Sequence, residues 1–174
     1  AAIQEILIKS ASDLISLDNP NYQYVAARLL LYAIRKSLYG RLWELPHLYD
    51  HITDCVKKEV YDADVLVKYS KEEIEILNDI IDHDRDFLFT YAGLRQVADK
   101  YLVQDRSSGQ VYETPQFMYL LIAMTIFADY PKETRIDYVT RYYAAISKHK
   151  INIPTPIMGG VRTPLRQFAS CVLV

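Results

Sequence analysis

The sequence predicts a mainly α-helical protein with one small β-hairpin and a final β-strand. Apolar residues recur every three or four positions through most of the first 150 residues, which is the spacing of one face of an α-helix. Helix start and stop signals divide this pattern into segments, at Asn19-Pro20, at Gly40 and at a capping box that begins with Ser70. Apolar residue types make up 51% of the 174 residues, which is enough to build a core.

Charge and hydropathy argue against several classes of protein. The net charge of -2 and the pI near 6.1 disfavour a dedicated nucleic-acid binder, which normally carries a basic face. The apolar runs are too short or too interrupted by Arg and Tyr to cross a membrane, and no secretory segment opens the chain. We therefore expect a cytoplasmic protein. Because the first residue is Ala and the last run is apolar, we also expect a piece of something longer.

The first 40 residues predict a helical hairpin. An amphipathic helix is expected over residues 3–17. Five of its apolar side chains share one face: Ile3, Ile6, Leu7, Leu14 and Ile15. Asn19 as N-cap and Pro20 as first helical residue are expected to open a second helix, because proline lacks only an N–H that would be unpaired there. Gly40 is expected to close that helix.

Further helices and one β-hairpin are predicted for the next hundred residues. The helices are expected at residues 47–59, from about 62, and at 70–81, 87–100, 115–128 and 132–148. Residues 101–106 and 110–113 are expected to pair as the hairpin around Ser107-Ser108-Gly109, with Gly109 in the left-handed conformation.

The closing segment, residues 154–174, has a different composition from the rest of the chain. It holds three of the seven prolines and two of the five glycines, so the helical pattern is expected to cease near residue 150. We expect a long, largely rigid loop, followed by a strand at 168–174.

Cys171 is the strongest candidate for chemistry. A lone cysteine near the end of a strand is more often a buried apolar residue than a reactive one. Arg162, Arg166 and Ser170 precede it within ten residues, however, and nearby cations favour the thiolate form that carries out redox chemistry. Cys55 lacks such neighbours and is expected to be core or partly exposed filler. A disulfide between the two cysteines is not expected in a cytoplasmic chain.

Two other groups of polar residues are weaker candidates. N-capping and ion pairing explain the run His83-Asp84-Arg85-Asp86 better than a metal site does. His47 and His51 have the i,i+4 spacing of a helical metal pair, but no carboxylate completes an established motif. We therefore predict no metal. Arg28, Arg35 and Lys36 could bind an anion, although a solvated basic face is the default expectation.

Several stretches of the sequence carry a resemblance to a known family. The longest lies in the closing segment: Pro154-Thr155-Pro156-Ile157-Met158, Arg162-Thr163-Pro164, Arg166-Gln167-Phe168 and Ser170-Cys171-Val172-Leu173. Others precede it: Pro20-Asn21-Tyr22-Gln23-Tyr24, Tyr39-Gly40, His83-Asp84-Arg85-Asp86, Lys100-Tyr101-Leu102-Val103 and Pro131-Lys132-Glu133-Thr134-Arg135. Together they resemble the large subunit of class I aerobic ribonucleotide reductase, of the bacterial or T-even-phage type.

The resemblance implies a domain organisation. Residues 1–40 correspond to the last helices of an incomplete ATP-binding cone, and residues 41–150 to an all-helical domain. Residues 151–174 correspond to the start of the catalytic barrel, so that the chain ends in the first strand of an incomplete ten-stranded α/β barrel.

The resemblance also implies roles for individual residues. The family reduces ribonucleoside diphosphates by thiyl-radical chemistry, and Cys171 matches one of its two reducing cysteines. Thr155 and Ser170 match substrate-contacting positions, while Lys36 matches a lysine that contacts the regulatory ATP. A structurally different alternative stays open at this point, namely a non-catalytic helical interaction or regulatory module with a buried thiol. Another glycyl- or thiyl-radical enzyme with a related barrel start is a third possibility.

The partners implied by the resemblance are mostly proteins and nucleotides. They comprise a ribonucleoside diphosphate substrate, nucleotide effectors, the remainder of the large subunit, a radical-generating small subunit, and thioredoxin or glutaredoxin as reductant. The metal-radical cofactor is expected on the small subunit, with no cofactor in this chain. Neither nucleic acid nor membrane is expected as a partner.

Overall fold

The computed structural model describes residues 2–40, 43–165 and 168, and within these ranges the chain is mainly helical. The α-helices are α1 (Ala2–Asp13), α2 (Tyr22–Tyr39), α3 (Leu48–Lys57), α4 (Asp64–Lys68), α5 (Lys71–Asp79), α6 (Tyr91–Lys100), α7 (Pro115–Ile126), α8 (Lys132–Ser147) and α9 (Thr155–Gly160). A 3₁₀ helix, His83–Leu88, lies between α5 and α6. No helix in the described part of the chain is long and apolar enough to cross a membrane.

Helix α7 lies at the centre of the fold. Its residues 115–124 are all buried, since its sequence is apolar around the whole circumference of the helix. A helix of this kind must be covered on every side. It packs against α8, α9 and the 3₁₀ helix, and the hydroxyl of Tyr69 donates to the carbonyl of Met124 at its C-terminal end. Side chains of other elements add to this cover, such as the ring of His51 on α3, which stacks on Phe117.

The predicted hairpin of α1 and α2 forms, with shifted boundaries. Helix α1 ends at Asp13 because the following residues form turns, in which the amide of Asn19 donates to the hydroxyl of Ser16. Helix α2 begins at Tyr22, two residues later than expected, after a turn over residues 19–22. Gly40 closes it in the left-handed conformation, with φ of 66°, which confirms the predicted cap.

The apolar face of α1 is exposed. Ile3, Ile6 and Leu7 lie largely in solvent, as does Val25 on α2. Helix α1 contacts the rest of the protein through α2, and α2 in turn packs on α6 and the 3₁₀ helix. The helical spacing in α1 was predicted correctly, but within the described residues its apolar stripe is not covered by the helical body.

The predicted β-structure is reduced to one bridge in the described part of the chain. Residues Gln104 and Val111 form an isolated antiparallel bridge, and Gly109 adopts the expected left-handed conformation, with φ of 72°. The turn is stabilised by Asp105, whose carboxylate accepts from the hydroxyls of Ser107 and Ser108. These side-chain bonds add to backbone bonds across the turn, in which the amide of Asp105 donates to Gln110 and that of Tyr112 to Val103. The predicted strand at 168–174 lies outside the described residues apart from Phe168.

Two other helix predictions were wrong in detail. Residues 83–88 form the 3₁₀ helix, so α6 begins only at Tyr91, where the hydroxyl of Thr90 accepts from the amide of Gly93. Helix α9 lies in the segment that was expected to be a loop. It tolerates Pro156 because the first turn of a helix does not use the missing N–H.

The capping box at Ser70 is confirmed and also connects two helices. The hydroxyl of Ser70 accepts from the amide of Glu73, and the Glu73 carboxylate accepts from the amide of Ser70. That carboxylate also receives two bonds from Arg135 on α8, at 2.5 and 2.7 Å. The guanidinium of Arg135 is buried and donates further to the carbonyls of Lys68 and Ala128.

A buried ion pair connects α2 to the 3₁₀ helix. Arg35 lies 3.2 Å from a carboxylate oxygen of Asp86 and also donates to the carbonyl of His83. Gln116 on α7 donates to the other oxygen of Asp86 and accepts from the hydroxyl of Tyr143 on α8. Burial raises the pKa of Asp86 to about 6, so the carboxylate is charged at neutral pH and faces the guanidinium.

We predict that Asp86→Ala will be strongly destabilising. The substitution leaves the cation of Arg35 buried without its counter-ion, a change that costs about 3 kcal/mol or more. Urea denaturation at pH 7.5 measures the loss. Adding Arg35→Met should recover most of it, because the unpaired charge is then removed.

The exposed pair of Asp137 and Arg141 provides the control. Asp137→Ala should change stability little, since exposed pairs of this spacing contribute little. Equal effects of the two alanine substitutions would contradict the importance of the buried pair.

Candidate functional site

Thr155 is the candidate substrate residue that the structure describes, and it begins α9. The carbonyl of Pro154 accepts from the amides of Ile157 and Met158, which fixes the first turn. The Thr155 side chain is exposed, and its hydroxyl lies 3.3 Å from the hydroxyl of Tyr101, the residue that follows α6. The hydroxyl therefore stays accessible while one neighbour fixes its position.

A groove of about 610 Å³ runs beside Thr155. Its other walls include Lys100 from the end of α6, Arg106 from the turn that joins the two residues of the β-bridge, and Gly159 in α9. Arg106 donates to the backbone carbonyls of Asp99 and Lys100, each at 3.4 Å. The carboxylate of Glu59 lines the groove as well, so its two cationic side chains outnumber one acid. Together with the exposed hydroxyl, they are suited to a ligand that carries negatively charged oxygens.

Arg162, two residues after α9, fixes this helix to the helical body. Its guanidinium is buried and forms a bidentate pair with the buried carboxylate of Glu113, including contacts from Nε of 2.9 and 3.1 Å. It donates further to the carbonyl of Met158 in α9 at 2.6 Å and to that of Tyr101 at 2.9 Å. In addition, the backbone carbonyl of Arg162 accepts from the amide of Asp62.

Glu113 is held by a second set of donors inside the core. The amide of Val103 donates to one carboxylate oxygen at 2.7 Å, and the hydroxyl of Tyr61 donates to the other at 2.5 Å. The Tyr61 oxygen lies 3.0 Å from Nε2 of His51, whose ring stacks on Phe117 with a centroid distance of 4.1 Å. The buried acid thus has the hydrogen-bond partners that a charge in the core requires.

The structure gives Arg162 a partner that the sequence did not indicate, since its charge is paired with Glu113. Its predicted effect on a thiolate at Cys171 stays a prediction. Arg166, Ser170 and Cys171 lie outside the described residues. The structure therefore places Thr155 but not Ser170 or Cys171.

Cys55 is buried, as predicted, and its chemistry is unfavourable. The thiol faces the ring of His51 and the carbonyl of Tyr112. Burial is the main cause that raises the pKa of this thiol to about 12, and the negative charge of Glu113 adds to it. The reactive thiolate is therefore scarce at neutral pH.

The two histidines with helical spacing, His47 and His51, contact other side chains of the fold. His47 pairs with Glu75 at 2.9 Å, and His51 is buried against Phe117. The described residues contain no group of three His, Cys, Asp or Glu side chains that could hold a metal ion. Ion pairing explains the charges of the run 83–86, as predicted, since Arg85 pairs with Asp82 and Asp86 pairs with Arg35. The predicted cap is wrong in position, because Asp82, just before the run, caps the 3₁₀ helix by accepting from the amide of Asp84.

Lys36, the candidate effector residue, lies exposed on α2. Arg28 is exposed as well, but Arg35 points into the core toward Asp86. The expected basic face over these three residues is therefore reduced to two of them.

Sequence reasoning missed the residues around Thr155. Lys100 and Tyr101 belong to a motif that carries the family resemblance, yet no role was assigned to them. Arg106 and Glu113 fell in the predicted hairpin. Their proximity to α9 depends on contacts between residues far apart in sequence, for which no local signal exists.

Comparison with known proteins gives consistent matches along the chain. Residues 87–166 match the family described as "Ribonucleotide reductase, all-alpha domain". The chain is 53% identical over 172 residues to the "Ribonucleoside-diphosphate reductase subunit alpha" of Haemophilus influenzae and 52% identical to the "Ribonucleoside-diphosphate reductase 1 subunit alpha" of Escherichia coli K12. It is 50% identical to the alpha subunit of Enterobacteria phage T4. These alignments cover 99% of this chain but only 22–23% of each relative.

The stability of the core around His51 should depend on pH. Burial lowers the pKa of His51 to about 4 in the folded protein, against about 6.5 in the unfolded chain. Between these values the unfolded state binds the extra proton, so stability is full above pH 6.5 and falls as the pH drops toward 4. Near pH 5 this group contributes a slope approaching ~1.4 kcal/mol per pH unit.

Urea denaturation at pH 7, 6 and 5 measures this slope. His51→Gln should make stability less dependent on pH than in the unmodified chain. The same substitution at His47, whose ring is partly exposed, controls for the loss of a histidine as such. A slope that is unchanged by His51→Gln would contradict the prediction.

Proposed function

Since the chain belongs to the family of ribonucleotide reductase large subunits, we propose that it forms part of an enzyme that reduces ribonucleoside diphosphates to deoxyribonucleoside diphosphates. The observation that carries this proposal is identity of 50–53% to three alpha subunits across 99% of the chain. Similarity of this extent includes the closing segment, where the candidate site residues lie. We expect this chain to be inactive alone.

The surroundings of Thr155 support a role in binding the substrate. A nucleoside diphosphate carries oxygens that accept hydrogen bonds from hydroxyls and from cations. The exposed hydroxyl of Thr155 stands in a groove that Lys100 and Arg106 also line. We propose that Thr155, together with Ser170, contacts the substrate on this side of the active site.

Cys171 is proposed as one of two reducing cysteines. In the reaction, a thiyl radical on a third cysteine removes the 3′ hydrogen of the ribose and returns a hydrogen after reduction. Two thiols supply two electrons and two protons, the 2′ hydroxyl leaves as water, and the two sulfurs form a disulfide. Cys55 is unsuited to be the second thiol because it is buried and its pKa is raised to about 12. The partner thiol and the radical cysteine therefore belong to other parts of the large subunit.

The proposed domain boundaries follow the same family comparison. Residues 1–40 would complete an ATP-binding cone, residues 41–150 would form the helical domain, and residues 151–174 would begin the barrel, with its first strand at 168–174. The packing of α2 on α6 and of α9 on α7 is compatible with this division. The bridge between Gln104 and Val111 would be the remnant of the small hairpin.

The proposed partners act at separate places on the complete enzyme. Lys36, exposed on α2, would contact a nucleotide effector. The metal-radical cofactor would reside on a separate small subunit, and thioredoxin or glutaredoxin would reduce the disulfide that includes Cys171. This organisation is proposed for an enzyme of the cytoplasm.

We predict that Cys171 is required for turnover and that Cys55 is not. A hybrid large subunit, in which this chain replaces the aligned segment of the Escherichia coli relative, allows the test together with that relative's small subunit. Product is measured as deoxycytidine diphosphate formed from cytidine diphosphate with thioredoxin as reductant. Cys171→Ser should lower turnover about 1,000-fold, because the disulfide cannot form.

Cys55→Ser is the matched control, since it makes the same change at a buried thiol. It should retain most of the turnover. Equal turnover with Cys171 intact and with Cys171→Ser would exclude the redox role, and a folded hybrid without any activity would contradict the proposed function as a whole.

A further inference from the structure

Stability alone does not explain why Glu113 and Arg162 form a buried ion pair. Both side chains are almost completely buried, and burying two charges costs most of the free energy that their attraction returns. Apolar residues of similar volume often serve stability as well as such a pair does. A charged pair differs from an apolar one because its hydrogen bonds are directional, so each bond fixes the orientation of the groups that it joins.

The hydrogen bonds of Arg162 connect α9 to two other helices. Arg162 donates to Met158 within α9, to Tyr101 at the end of α6 and to Glu113 just before α7. The guanidinium is planar and rigid, so these three acceptors are held in one fixed arrangement. One side chain thus sets the distance and the angle of α9 relative to two other helices.

Helix α9 has few other means of being held in place. It has six residues, all of them described, and none of them is buried. A helix this short is unstable by itself, because the cost of nucleation exceeds what so few hydrogen bonds return. Ile157 and Met158 are only partly buried against the core. The buried ion pair is therefore the main directional anchor of this helix.

Tyr101 connects this anchor to the candidate substrate contact. Its carbonyl accepts from Arg162, and its hydroxyl lies 3.3 Å from that of Thr155. The same residue thus contacts the guanidinium through its backbone and the first residue of α9 through its side chain. A shift of Arg162 would move both ends of α9 relative to the groove.

We propose that Glu113 and Arg162 form a positioning pair, which holds Thr155 in the geometry that binds the diphosphate of the substrate before the substrate arrives. This inference rests on the proposed function. Neither residue contacts the substrate, and both act through α9 and Tyr101. Preorganisation of this kind lowers the cost of ordering the site during binding.

The decisive variant replaces the ion pair by apolar residues, Glu113→Leu with Arg162→Met. This double variant should fold with a lowered urea midpoint, because it leaves no unpaired charge in the core but removes the acceptor of the Val103 amide and of the Tyr61 hydroxyl. In the hybrid large subunit it should nevertheless raise KM for cytidine diphosphate about tenfold and change kcat much less, as expected for weakened binding of a non-reacting group. Thr155→Ala should raise KM to a similar extent.

A second measurement reports on position without any activity. Hydrogen exchange in this chain should be faster in the double variant at the amides of residues 157–163, while the amides of α7 stay protected. The conservative variant Arg162→Lys keeps the charge but not the planar fork, and should fall between the double variant and the unmodified chain in both KM and exchange.

The buried pair of Arg35 and Asp86 supplies the matched control. Its apolar replacement, Asp86→Leu with Arg35→Met, alters an ion pair that does not contact α9, so KM should stay unchanged. The positioning role is contradicted if the double variant of Glu113 and Arg162 folds and is active with unchanged KM and unchanged hydrogen exchange. That result would leave the proposed function intact. If the unmodified hybrid folds but is inactive, both the function and this inference fail.

Discussion

The fold depends on the burial of α7, because a helix that is apolar on every side has to be enclosed by the rest of the chain. Two buried ion pairs lie at its N-terminal end. Glu113, just before the helix, pairs with Arg162, and Gln116, in its first turn, donates to the carboxylate that pairs with Arg35. One end of a single helix thus connects the hairpin of α1 and α2 on one side with α9 on the other.

The residues that stabilise the fold are buried, whereas the proposed substrate contact is exposed. The thiol of Cys55 lies inside the network, where burial suppresses its reactivity. The hydroxyl of Thr155 lies outside this network, in the groove that Lys100 and Arg106 line. It is connected to the network through its contact with the hydroxyl of Tyr101. The proposed substrate contact can therefore remain hydrated and accessible, because buried groups set its geometry.

The helical class and most helices could be predicted because their signals are local. Gly40 and the capping box at Ser70 mark helix ends through backbone geometry that a few residues determine. Helix α9 was missed, since proline and glycine usually indicate a loop. The partner of Arg162 could not be predicted either, because Glu113 is 49 positions away and no local pattern selects one carboxylate among many. The roles of Ser170 and Cys171 still rest on the sequence and on its relatives.

We propose that Cys171 is oxidised as the substrate is reduced. One turnover of the hybrid enzyme without external reductant, followed by alkylation of free thiols and peptide mass spectrometry, tests this step directly. Cys171 should lose its free thiol in proportion to the deoxynucleotide formed and regain it with thioredoxin, while Cys55 stays reduced. Product formation with Cys171 still fully alkylated would contradict it.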